Sequence, residues 1–152
     1  MTTTGRLTRR EKQLVELLAD GKPVPQIADA LGIARRAAAG SYTVAESMLG
    51  VSGEAALVDE AYRAKEVSRP EPGPSDSIMV VLPDEQRRVL TLVAKGLTAP
   101  QMAEVLGWTV ALVRRCARDL LVTLGATNGP NMIKRAWQLG LLTAEESQAK
   151  AS

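Results

Sequence analysis

Leu17-Leu18-Ala19-Asp20-Gly21, followed by Pro25-Gln26-Ile27-Ala28-Asp29-Ala30-Leu31-Gly32, is nearly repeated by Leu92-Val93-Ala94-Lys95-Gly96 and Pro100-Gln101-Met102-Ala103-Glu104-Val105-Leu106-Gly107. The offset is a constant 75 positions: Leu7 pairs with Leu82, Leu31 with Leu106 and Leu49 with Leu124. No gap is needed over roughly sixty residues, and about a dozen positions are identical. That period is too long for a solenoid unit and fits a duplicated small domain. The 152 residues are therefore read as two units rather than one. Units of this size are near the lower limit for independent folding, so each core is expected to be small. With no Phe in the chain, those cores must be built from Leu, Val, Ile, Met and Ala, a composition that favours helices.

Working outward, each copy reads as four helices. Thr8-Arg9-Arg10-Glu11 is a capping box, in which a hydroxyl and a carboxylate each satisfy one unpaired N–H. Leu14, Leu17 and Leu18 then mark one helical face, and Gly21 lies just past its end. Pro23 and Pro25 begin a second helix that Gly32 ends. The spacing predicts a third helix over 34–49 and a fourth from Glu54 to Ala64. In the second copy Pro83, Asp84 and Glu85 suit a helix start, and Thr98-Ala99-Pro100-Gln101 repeats the capping-box pattern. Thr109 opens a third helix over 109–124. Asn128 or Asn131 starts a fourth, carrying Met132, Ile133, Ala136, Trp137 and Leu139.

The expected organisation is all-α: a first helix-turn-helix domain over 1–67, a Pro-rich linker over 68–77, a second over 78–143 and a polar tail over 144–152. Three prolines in the linker forbid a helix and predict an extended, semi-rigid segment. The apolar run Ile78-Met79-Val80-Val81 is expected to pack against the helix that follows it.

Composition narrows the chemistry. With no His and one Cys, a His-containing zinc site, a Cys₄ site, a Ser-His-Asp or Cys-His nucleophile and an internal disulfide are all excluded. There is no Gly-rich phosphate loop and no paired acidic motif, so no enzyme and no cofactor are expected. The polar, basic N-terminus is not a secretory signal, and no run is long enough to span a membrane; a cytoplasmic, nucleoid-associated protein is expected. Charge is uneven. Residues 82–142 hold eight basic and four acidic side chains, a net of +4, whereas residues 1–69 hold ten and nine, a net of +1. The second copy is the better candidate for a polyanion partner.

Two short helices, a tight turn and a longer helix follow the helix-turn-helix order. The residues that carry a closer likeness are Leu7, Thr8, Arg10, Glu11, Leu14, Leu17, Ala19, Gly21, Ile27, Ala28, Leu31, Gly32, Ile33, Leu49 and Gly50 in the first copy. In the second they are Leu82, Glu85, Val89, Leu92, Ala94, Gly96, Met102, Ala103, Leu106, Gly107, Thr109, Val113, Leu124 and Gly125, with the ending Arg135 to Leu142. On these residues the chain resembles the LuxR/NarL-type (GerE-like) DNA-binding domain of bacterial regulators, present as two tandem copies. The resemblance implies a third helix that enters the major groove and a fourth that serves self-association.

It places Arg114 at the family's basic groove position and Cys116 at the next groove-facing one, with Arg115 and Arg118 adding charge. Arg can bridge guanine O6 and N7 or grip phosphate. Thr109 caps the helix or donates to a phosphate, and Val110 beside it is included in the interface. Gln101 and Lys95 are placed to reach backbone phosphates. The first copy departs from the pattern at its third helix, where Ala39 and Gly40 stand for Arg114 and Arg115; Arg35 and Arg36 remain at its N-terminal end. The reading is a sequence-specific regulator of transcription that binds double-stranded DNA mainly through the second copy, with repression slightly favoured. It acts as a monomeric pseudo-dimer or a homodimer through fourth helices. The alternative is a protein-interaction adaptor that grips RNA polymerase, a sigma factor or another regulator.

Overall fold

The structure, a computed structural model, describes residues 6–72 and 80–144. Among the described residues there are eight helices and no strand. They form two sets whose bounds agree residue for residue at the 75-position offset. Helix α1 (Arg9–Ala19) matches α5 (Asp84–Ala94), α2 (Val24–Leu31) matches α6 (Ala99–Leu106), α3 (Arg35–Leu49) matches α7 (Val110–Leu124), and α4 (Glu54–Arg63) matches α8 (Gly129–Gln138).

The helix starts follow from their caps. Thr8 Oγ1 accepts from Glu11 N at 3.2 Å, and Glu11 Oε1 accepts from Thr8 N at 2.8 Å. Thr98 and Gln101 do the same at 3.3 and 2.8 Å. Asn128 is the residue that starts α8, accepting from Asn131 N at 3.1 Å. Helices α2, α3, α4 and α5 start without a side-chain cap, and in α5 this has a consequence. Its capping position is Pro83, which has no N–H to offer, so the glutamine matching Glu11, Gln86, keeps a buried Oε1 without a partner.

Apolar periodicity turns one face of every helix inward, and those faces merge into one hydrophobic cluster drawn from both repeats. Leu14, Leu18, Ile27, Leu57, Leu120, Leu124 and Ile133 are fully buried. The third helices fill their share differently. Helix α7 buries Val113, Cys116, Leu120 and Leu124, whereas α3 buries only Ala38 and Ala45, the counterparts of Val113 and Leu120. Tyr42, where α7 has Ala117, lies half-buried against the cluster and returns some of that volume.

The repeats meet at a seam in which α4 packs on α8, α8 on α1 and α4 on α5. This is the pattern of a two-fold interface, where residue i meets j and j meets i. Gly21 lies against Thr127 and Asn131, and its counterpart Gly96 lies against Ser52 and Ala56, the counterparts of those two. Both glycines have positive φ, +92° and +87°, and in both a Cβ would run into the opposite repeat. The backbone angle and the close approach each call for glycine. At the pseudo-axis the equivalent residues Tyr62 and Trp137 touch each other, ring centroids 5.6 Å apart.

Polar groups on the seam are bonded across it. Asn128 Nδ2 donates to Gly21 O at 3.0 Å, Asn131 Nδ2 to Ala19 O at 2.9 Å, and Lys134 pairs with Asp20 at 2.6 Å. Asp59, 5% exposed, accepts from Trp137 Nε1 at 2.9 Å and pairs with Arg63 at 2.8 Å. The guanidinium groups of Arg63 and Arg69 lie 5.5 and 5.1 Å from the Trp137 ring.

The expected linker is described as far as Pro72. Arg69 Nε donates to Tyr62 O at 2.9 Å, and Gln138 Nε2 to Glu71 O at 3.3 Å, so its first residues lie along α4 and α8. Of the apolar run, Ile78 and Met79 fall outside the described residues. Val80 packs on the cluster, and Val81 is exposed, contrary to the expectation that the whole run packs. The tail beyond Ala144 also falls outside the described residues.

Candidate nucleic-acid interface

The core-facing residues of α7 recur at three- and four-residue spacing, which leaves Arg114, Arg115 and Arg118 on the outer side, all exposed. Neither ion pair seen among the described residues engages them. The helix starts firmly: Thr109 Oγ1 accepts from Leu112 N at 3.1 Å. That bond uses the hydroxyl as an acceptor and leaves its proton free to donate outward. Val110 is half-buried and packs against the hydrophobic cluster, so it contributes support for the first turn. Asp119 is the acidic residue on the exposed side, and Val122 beyond it is 82% exposed.

Cys116 requires a correction. The resemblance put it at a groove-facing position, but the side chain is 7% exposed and belongs to the core. Burial pushes the thiol above its usual range, with Glu85 and Asp119 adding to the rise and Arg115 opposing it. A thiol held protonated in apolar surroundings is a poor nucleophile.

Around α7, Lys95 caps the C-terminal end of α5 and is exposed, with its side chain unpaired among the described residues. Gln101 is exposed, but its side-chain oxygen is held by Thr98 N, which leaves its amide N–H₂ as the outward group. Trp108 is half-buried in the turn between α6 and α7 and packs on the cluster.

The first repeat presents a different surface. Arg35 and Arg36 are exposed in the opening turn of α3, whose capping position, Ala34, supplies no side-chain bond. The counterparts of Arg114, Arg115 and Arg118 are Ala39, Gly40 and Thr43, all exposed. Thr43 Oγ1 donates back to Ala39 O at 3.1 Å. Val44, 46% exposed, stands where α7 has Asp119. Where the second repeat offers Lys95, the first has Asp20, already paired with Lys134. Lower on α3, Tyr42 is held protonated by burial and then by its bond to Glu46, whose Oε2 also accepts from Gly53 N at 2.6 Å.

The paired helices, the tight turns and the outward third helices are the parts of a groove-binding domain. Residues 5–60 match the family described as bacterial regulatory proteins, luxR family. The match covers α1–α3 and most of α4 of the first repeat, the repeat whose third helix carries Ala39, Gly40 and Thr43 on its exposed side. The second repeat rests on its residue-by-residue agreement with the first. The matched family is one of regulators, not of enzymes, and it supports a DNA-binding transcription regulator. No curated protein and no solved structure matches the chain.

Among the described residues no helix is long and apolar enough to cross a membrane, and no group of three or more His, Cys, Asp or Glu is placed to hold a metal ion. The side chains missed by the sequence reading lie in the seam. Asp59 sits on the apolar side of α4, where Trp137 of the other repeat and Arg63 of its own helix both hold it.

Proposed function

We propose that the protein is a sequence-specific regulator of transcription that binds double-stranded DNA, with α7 of the second repeat as the principal reading helix. The observation that carries this is the outward row Arg114, Arg115 and Arg118 on a capped third helix, in a unit that repeats one matching a regulator family. Arg114 and Arg118 lie one helical turn apart with Arg115 beside them, and an arginine there can bridge guanine O6 and N7 or grip a phosphate. Lys95, the Gln101 amide and the Thr109 hydroxyl supply further donors toward the backbone. The chain works as a monomeric pseudo-dimer: α4 and α8, the self-association helices implied by the resemblance, already face each other. Repression by occupancy of a promoter is the favoured sign.

Selection from a randomised duplex library tests this. The intact chain enriches one motif, and Arg114→Ala/Arg115→Ala loses it. No enrichment even at low salt, where phosphate contacts are strongest, sinks the proposal and favours the adaptor that grips polymerase or another regulator.

A further inference from the structure

The two third helices are related by the pseudo-two-fold seam, yet they carry opposite chemistry. Helix α7 bears arginines in its second and third turns, spread along its outward face. At the same positions α3 bears Ala39, Gly40 and Thr43, and the Thr43 proton is committed to Ala39 O. None of these three offers a long donor for a base edge. The cations of α3 are confined to its opening turn, as Arg35 and Arg36, exposed and without an ion pair among the described residues.

We infer that the repeats divide the work on DNA: α7 reads base sequence, while α3 clamps the phosphate backbone of the neighbouring groove face through Arg35 and Arg36 and specifies no base. This rests on the DNA-binding reading above. Two features of the chain support it. The seam holds both third helices in one body, through the Gly21 and Gly96 contacts, the Tyr62–Trp137 pair and the Asp59 node, so docking α7 carries α3 with it. Arg35 and Arg36 have no second long polar donor further along the helix to fix their register against one base pair, and arginine contacts to phosphate oxygens carry no sequence information. The site is then a single half-site flanked on one side by about one helical turn, roughly 10 bp, of unspecified sequence. Ordinary two-fold helix-turn-helix dimers instead mirror their symmetry in a palindrome.

The test uses the full chain. A motif is selected from random duplexes, and hydroxyl-radical footprints are taken on the selected site. The expected result is one contiguous motif with a footprint that runs about one turn further on one side only. Arg35→Ala/Arg36→Ala should weaken binding to selected and scrambled duplexes by the same factor. It should also lower the slope of log K against log salt by about 2, since each phosphate contact contributes about 0.9. Arg114→Ala should instead cut the ratio of selected to scrambled affinity by about 10-fold or more. Two motif blocks one turn apart overturn the division of labour while leaving the DNA reading intact. A footprint confined to the motif, or an unchanged salt slope in Arg35→Ala/Arg36→Ala, overturns the clamp. Failure of the chain to protect any duplex overturns the DNA reading itself.

Discussion

The first repeat keeps the scaffold of the second and lacks the outward cations of its third helix. Helix bounds agree throughout, yet three outward arginines on α7 become Ala39, Gly40 and Thr43 on α3, and an exposed lysine, Lys95, becomes an aspartate tied into the seam. The second repeat shows the reverse economy at its own entrance. It carries the outward arginines and lacks the capping box of its first helix, leaving Gln86 Oε1 unpartnered behind Pro83. The comparison teaches that a duplicated fold is maintained by its buried and seam residues, while outward residues drift to separate duties.

The largest effect is expected at the pseudo-axis. Trp137→Ala removes a nearly buried ring and leaves Asp59 short of a donor; a loss of about 3–5 kcal/mol is expected from urea unfolding. Trp137→Phe, which keeps the ring contact and loses only the N–H, should cost about 1–2 kcal/mol. If the two variants lose the same amount, the Asp59 bond dominates the axis and the ring contact contributes little.

The two seam glycines sharpen the comparison further. Gly96→Ala drives a Cβ into the Ser52 carbonyl oxygen, which is backbone, at φ +87°. Gly21→Ala meets Thr127 Oγ1, the end of a side chain that can rotate away. Losses of about 2 kcal/mol or more for Gly96→Ala and about 1–2 kcal/mol for Gly21→Ala are expected. Equal midpoints in denaturant would show that the seam is more compliant at Ser52 than its geometry implies.

Much of this fold was legible in the residues. The constant offset and the caps at Thr8, Thr98 and Thr109 place the helices they open, because those bonds are local, while the start of α8 stays open between Asn128 and Asn131 until the structure decides it. The seam was not legible. Gly21 and Gly96 read as ordinary helix stops, since their second role depends on residues about 107 and 44 positions away in the chain that only the folded pair of repeats brings near. Asp59, buried on α4, has its second partner, Trp137, 78 positions away. Cys116 differs: the three- and four-residue spacing of Val113, Cys116, Leu120 and Leu124 puts it on the buried side, whereas the family resemblance implies a groove-facing position.

Smaller effects concern the positions where one repeat has lost what the other keeps. Pro83→Thr restores an N–H and a hydroxyl opposite Gln86, and a gain of about 0.5–1 kcal/mol is expected from thermal or urea unfolding. A loss instead would mean that Pro83 holds the chain entry by its fixed φ. Gly40 is helical with no atom within 4 Å of a built Cβ. Gly40→Ala should therefore stabilise the chain by about 0.5–1 kcal/mol, leaving unfolding cooperativity unchanged. No gain would show that the fold itself needs glycine there.

The central claim is that α3 is a recognition helix in place but without reading side chains. The most direct measurement is duplex selection with Ala39→Arg/Gly40→Arg/Thr43→Arg, which transplants the α7 row onto α3. The account predicts that the selected motif gains a second block about one helical turn from the first, with the original block unchanged. A folded variant that still selects only the original block would contradict it, because α3 would then not face the same duplex as α7.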